Sequence, residues 1–177
     1  DGSKDIMLFT DAGKVVRFDE SKVRPMGRTA RGVRGIRIEE GQAVISLVVA
    51  HSDATILTAT ENGYGKRTSI EEYRVSGRGG QGVISIQVTE RNGKVVRSVQ
   101  VTDADEAMLI TDKGTLVRFR INELSVIGRN TQGVRLINVS AGEKVVGMQK
   151  IEDLGEDSNE SDGITEIEEN DDDNSSL

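Results

Sequence analysis

Two glycine–arginine motifs recur three times, at a fixed phase, in this chain of 177 residues. Gly27-Arg28-Thr29-Ala30-Arg31-Gly32-Val33 returns as Gly77-Arg78-Gly79-Gly80-Gln81-Gly82-Val83 and again as Gly128-Arg129-Asn130-Thr131-Gln132-Gly133-Val134, at spacings of 50 and 51 residues. A second element keeps the same register: Gly13 with Arg17, Gly63 with Arg67, Gly114 with Arg118. Self-similarity at such a period marks a repeat architecture. One supersecondary unit cannot bury its apolar face alone, so it stacks on its neighbours.

Within each unit the pattern is β. Short apolar runs at 6–9, 55–60 and 107–111 each lead into a turn at Ala12-Gly13, Asn62-Gly63 or Lys113-Gly114. Asn-Gly suits a tight hairpin because both central residues tolerate positive φ. Return strands are expected at 14–18, 65–70 and 115–119, with short helical turns near 20–23, 71–73 and 122–124. After each Gly-Arg loop comes a further strand (33–38, 83–88, 134–139), and a last one closes each unit (44–50, 94–101, 144–151). Four strands in about 50 residues is the size of a propeller-type blade. The expected fold class is therefore all-β, with three four-stranded blades at approximately 1–52, 53–104 and 105–151. Propellers close with about 4–8 blades, so the sequence, which opens on Asp1, is read as part of a longer polypeptide.

Charge separates body from tail. Residues 152–177 hold 12 of the 30 acids and none of the 23 Lys and Arg, which leaves residues 1–151 with a net charge of +5. The segment 152–177 has few apolar residues and no periodicity, and is expected to be a disordered acidic tail. A basic body with an acidic appendage points to a polyanion-binding surface and an internal competitor for it.

Composition excludes several classes. With no Cys and a single His, His51, there is little material for a metal centre, and no disulfides can form. Five aromatic residues and no Trp argue against a stacking platform for single strands. No apolar run approaches 18 residues, so no membrane-spanning helix is expected. Gly77 to Gly82 fits Gly-x-Gly-x-x-Gly, but an apparent strand follows where a dinucleotide site needs a helix. No catalytic constellation and no metal site is found.

The Gly-Arg loops carry the functional signal. The glycines alone are explained by sharp turns and the arginines by solvation. Three such loops in register, in a body of net +5, favour contacts to a nucleic-acid backbone, where the planar guanidinium fork suits phosphate. Candidate DNA-binding residues are Arg28, Arg31, Arg34 and Arg37 in the first repeat and Lys66, Arg67 and Arg78 in the second. In the third they are Arg118, Arg120, Arg129 and Arg135. Arg17, Arg67 and Arg118 share one position, where an ion pair within the blade and a DNA contact are equally open readings. Backbone contacts of this kind position and bend a duplex rather than read its sequence.

The stretches Gly63-Tyr64-Gly65-Lys66-Arg67-Thr68, Val88-Thr89-Glu90-Arg91-Asn92-Gly93 and Gly128-Arg129-Asn130-Thr131-Gln132-Gly133-Val134 resemble the C-terminal domain of bacterial DNA gyrase A. The resemblance runs over essentially all of residues 1–151. It implies a β-pinwheel, a six-bladed relative of the propeller, of which this chain would hold about the last three blades. It implies a role in wrapping double-stranded DNA around a basic perimeter in support of ATP-dependent negative supercoiling by a type II topoisomerase. The implied partners are the rest of gyrase A and its companion gyrase B, in a heterotetramer of the bacterial cytoplasm and nucleoid. This chain would hold no cofactor, ATP and Mg2+ being used elsewhere in the holoenzyme. The family's Gln-Arg-Arg-Gly-Gly-Lys-Gly box belongs to its first blade and is not intact here; Ser76 to Gly82 keeps Arg78, Gly79, Gly80 and Gly82. Alternatives are the equivalent domain of topoisomerase IV and a propeller-like scaffold for protein partners.

Overall fold

A computed structural model describes residues 3–151. Eleven strands make three antiparallel sheets among the described residues. In the first repeat β1 (Asp5–Thr10) and β2 (Lys14–Asp19) form a hairpin, and β3 (Val44–Ala50) returns along the other edge of β1. The second repeat builds the same unit from β4 (Thr55–Thr60), β5 (Tyr64–Ser69) and, after β6 (Val83–Ile84), β7 (Val95–Val101). The third uses β8 (Glu106–Thr111), β9 (Leu116–Arg120) and, after β10 (Val134–Arg135), β11 (Val145–Ile151). Each expected helical turn is a single 3-10 turn: Glu20–Lys22, Ile70–Glu72 and Ile121–Glu123.

The same local chemistry closes each hairpin. Thr10 and Thr111 accept at Oγ1 from the amides of Lys14 and Thr115, at 3.1 and 3.0 Å, while Thr60 donates to the Tyr64 carbonyl at 3.0 Å. A register shift follows at the same place in all three sheets, between Phe9 and Thr10, between Ala59 and Thr60, and between Val145 and Gly147. Such a bulge adds local twist, repeated here once per blade.

The structure corrects one expectation about strand membership. The strands after the second and third Gly-Arg loops do not stay in their own repeats. The short β6 pairs with β2 of the preceding repeat (Val83 opposite Val15), and β10 pairs with β5 (Val134 opposite Gly65). The sheets therefore run β3-β1-β2-β6, β10-β5-β4-β7 and β11-β8-β9, and the segment 33–38 forms no strand among the described residues. Alternating apolar residues identify an extended segment but not its partner. The partner is chosen by an open sheet edge: Ser85 and Ile86 both donate to the Gly13 carbonyl, and Leu136 and Ile137 to that of Gly63. The expected acidic tail at 152–177 lies outside the described residues.

Exchange also decides where the core sits, which is between sheets. Met7, Phe9, Val15, Ile56, Ile70 and Tyr73 form one cluster joining the first two sheets, with Phe9 edge-on to Tyr73 at 6.3 Å. Leu57, Val101, Leu109, Ile121, Ile137 and Met148 form another, joining the second and third. The middle sheet is covered on both faces, so β5 is buried over five of its six residues. The strand β7 contacts both β3 and β11, so these strands face inward, which leaves β6, β10 and β9 at the outer edge.

Candidate nucleic-acid interface

Each strand exchange carries a Gly-Arg loop to the outer edge of the neighbouring sheet. The loop 77–82 leads into β6 and lies against the first repeat. Gly79 donates to the Gly35 carbonyl at 2.5 Å, and Arg37 donates its amide to the Gly80 carbonyl at 2.8 Å. Arg78 reaches back with Nε on the Lys22 carbonyl (2.8 Å) and Nη1 on that of Arg34 (3.1 Å). Arg34, Arg37 and Arg78 are thereby gathered on one exposed surface, with Arg28 and Arg31 on the exposed segment before it. One repeat later, Arg129 donates to the Ile84 carbonyl at 3.1 Å, and Gln87 donates its amide to the Thr131 carbonyl at 2.8 Å. The solvated-arginine and phosphate readings are both incomplete for Arg78 and Arg129, because each also clips its loop to the backbone of the preceding repeat.

Arg135, on β10, lies over the ring of Tyr64 with its guanidinium carbon 4.7 Å from the centroid, and it donates to the Tyr64 hydroxyl and to Asn138. Arg91 lies over the same ring at 4.6 Å. Hydrogen bonds from Arg91, and the positive charge of both arginines, hold the Tyr64 phenol below its ordinary pKa. A reading built on repeats passes over Arg91 because it does not recur: Gly41 and Gly142 stand at its place in the other repeats. Its signal is a lone basic residue in the Glu90-Arg91-Asn92-Gly93 turn.

Two candidates are inside the molecule. Lys66 is 1% exposed, and its ammonium donates to the carbonyls of Gly128 (2.8 Å) and Arg129. Burial, together with repulsion from Arg129, pushes its pKa down to about 7. Arg67 is 6% exposed, donating to Thr55, to the carbonyls of Ile121 (3.1 Å) and Leu124, and to Asp103. Neither side chain presents its charge to the surface. The repeat register carries a warning for Lys66, which stands where Val16 and Val117 do.

Arg67 belongs to a series that links blades. Arg17, its counterpart, pairs with Asp5 at 2.8 Å and donates to the carbonyls of Ile70 (2.9 Å) and Tyr73 (3.1 Å) in the next repeat. In return Ser76 donates its amide to the Arg17 carbonyl, and Ile127 does the same to Arg67. Among the described residues the third member, Arg118, pairs within its blade, with Glu106, which Arg120 also approaches at 3.7 Å. Both Arg118 and Arg120 are on β9 at the outer edge, with side chains open to solvent.

Among the described residues no group of His, Asp or Glu is placed to hold a metal ion, and no helix is long and apolar enough to cross a membrane. The Gly77–Gly82 stretch runs into β6 rather than a helix, as expected. Tyr73 is buried and shares a hydrogen bond with Ser85 at 3.3 Å, a packing role.

A family model described as the DNA gyrase C-terminal domain, beta-propeller, matches residues 4–51, 54–101 and 105–152. The DNA gyrase A polypeptide of Escherichia coli (strain K12) is 55% identical over 150 residues, and that of Pseudomonas aeruginosa is 50% identical over 153. The matches cover 85% and 86% of this chain but only 17% of either relative, so the chain spans about a sixth of their length. The crystal structure of the C-terminal domain of DNA topoisomerase IV superposes with a TM-score of 0.80 at 26% identity, over 86% of this chain and 48% of that one. A structure of the DNA gyrase A C-terminal domain gives 0.76 at 23% identity, over 84% and 50%, which bears on the fold. The all-β propeller-type architecture and the three matched repeats agree: the chain belongs to the DNA gyrase C-terminal domain family.

Proposed function

We propose that this chain binds and bends duplex DNA along the outer edges of its sheets, as the DNA-wrapping part of a DNA gyrase A. One observation carries the reading: strand exchange delivers the second and third Gly-Arg loops, with Arg78, Arg129 and Arg135, to the outer edges, beside exposed Arg34 and Arg37, and Arg118 and Arg120 also lie at an outer edge. Lys66 and Arg67 shape that surface from beneath and are left out of the contact set. Arg78 and Arg129 hold their loops in place while their remaining donors face the duplex. Phosphate contacts of this kind are indifferent to sequence, and their energy offsets the cost of bending the duplex. In this reading the chain works with the rest of gyrase A and with gyrase B in bacterial cytoplasm at the nucleoid. It uses no cofactor of its own, and the supercoiling chemistry takes place elsewhere. The segment 152–177, with its net charge of −12, competes with DNA for the basic edge.

The experiment is duplex affinity against salt for residues 1–177 and 1–151. A log–log slope of about −4 to −8, at roughly 0.9 per phosphate, is expected, with tighter binding by the shorter chain. A folded chain whose binding is absent or flat in salt refutes the reading and favours a scaffold for protein partners. Unchanged affinity after truncation refutes the competing tail alone.

A further inference from the structure

Features that recur in all three repeats are explained by the fold. The second repeat departs from its neighbours at three positions, two of which meet in space while the third lies on the same strand. Tyr64 replaces Lys14 and Thr115, Lys66 replaces Val16 and Val117, and Arg91 replaces Gly41 and Gly142. Tyr64 packs under the guanidiniums of Arg91 and Arg135, at 4.6 and 4.7 Å, while both arginines stay exposed. Lys66 ties down the start of the loop that leads to Arg135.

The backbone that carries Arg91 is also held. Asn62 donates from Nδ2 to the carbonyls of Glu90 and Arg91, at 3.1 Å each. Asn92, wholly buried, donates to the carbonyls of Gln87 (2.7 Å) and Gln132 (3.1 Å) and accepts from the Thr89 amide at 2.8 Å. The turn bearing Arg91 is thus joined to the Gly-Arg loop 128–133. A guanidinium stacked on a ring loses less freedom on meeting an anion than a free one does.

From this convergence we infer that Arg91 and Arg135, set by the Tyr64 ring, form a preorganised phosphate-binding station for the backbone of duplex DNA, peculiar to the second sheet. Arg91 and Arg135 are the binding residues and Tyr64 is a positioning residue. The inference rests on the DNA-binding reading above and adds to it a residue that the repeat pattern does not mark. The two charges on one ring recognise phosphodiester oxygens through paired N–H donors, with no element that reads a base.

The test is the affinity of the 177-residue chain for a duplex of about 30 base pairs across a salt series, with folding followed by circular dichroism. Arg91→Gln is expected to bring the log–log slope about 0.9 closer to zero and to weaken binding at low salt. Tyr64→Leu, which keeps both charges but removes their platform, is expected to weaken binding several-fold with the slope preserved, and Tyr64→Phe, which keeps the ring but loses the hydroxyl that accepts from Arg135, to recover part of that loss. Arg97→Gln, at an exposed arginine on β7, the strand at the opposite edge of the sheet from β10, is expected to change neither. A wild-type chain that binds in a salt-dependent way while Arg91→Gln matches it in slope and affinity overturns the station and leaves the broader reading standing. Tyr64→Phe behaving as Tyr64→Leu does overturns the role of the ring. A folded wild-type chain that binds no duplex overturns both readings together.

Discussion

Two hairpin glycines offer an internally controlled measure of strand exchange. Gly63 and Gly114 share a repeat position and a backbone, with φ of +81° and +84°. A Cβ at Gly63 would lie 2.4 Å from the Ile137 carbonyl oxygen, whereas one at Gly114 meets nothing within 4 Å. Gly114→Ala therefore carries only the left-handed strain of a non-glycine residue, about 1–2 kcal/mol. Gly63→Ala carries the same strain and also pushes the exchanged segment away. That movement weakens the bonds from Leu136 and Ile137 to the Gly63 carbonyl, at 2.8 and 3.1 Å, each worth about 1 kcal/mol net. It also loosens the packing of buried Ile137. Together these put Gly63→Ala about 2–3 kcal/mol below Gly114→Ala. At about 2–4 °C per kcal/mol for a chain of this size, the gap in Tm is roughly 5–10 °C. Urea and thermal unfolding of the two variants measure it. Equal losses would refute the argument that the exchanged strand, rather than the turn itself, demands glycine at position 63.

The same contrast applies to the linking arginines: Arg67→Met is expected to cost about 2 kcal/mol, through the buried carbonyls of Ile121 and Leu124, and Arg118→Met under about 0.5 kcal/mol on its exposed face. Denaturant midpoints compare them. Lys66, with its pKa lowered to about 7 in the fold, makes stability depend on pH. Between about pH 7 and 10 the unfolded chain binds a proton there that the folded chain does not, so stability rises with pH. The slope from this one group is at most about 1.4 kcal/mol per pH unit. Lys66→Met should lack that component of the slope, which urea unfolding at pH 7, 8 and 9 would reveal. On DNA, Arg34→Gln and Arg37→Gln are each expected to weaken binding to all sequences alike and to reduce the salt slope by about 0.9. A loss confined to particular sequences would count against backbone recognition.

Much of the architecture is legible in the chain because it is local. The hairpins follow from Asn62-Gly63 and its counterparts, and the 3-10 turns and the strand-by-strand alternation follow from neighbouring residues alone. The period of 50 and 51 residues sets the blade size, and the Gly-Arg loops mark an edge rich in cations. Tertiary structure selects the sheet that each loop joins. Pairing a two-residue strand such as β6 or β10 leaves no local trace, because its partner is whichever open edge lies within reach, here β2 and β5 of the preceding repeat.

That choice also sorts the cations. Alternation says that side chains on a strand face opposite ways, but not whether a neighbouring blade covers both faces. The middle sheet is covered on both, so Lys66 and Arg67 turn inward and donate to the carbonyls of the third repeat. On the third sheet Arg118, at the same strand position as Arg67, stays open to solvent beside Arg120. Arg91 reaches the site only because Asn62 and Asn92 fold its turn against a loop some 40 residues away, as the Asn92–Gln132 bond records. The unit and its repetition depend on residues close along the chain, and the sequence alone suffices to specify them. Which charges face solvent and which hold the blades together depends on what packs alongside, and that is settled only when the blades meet.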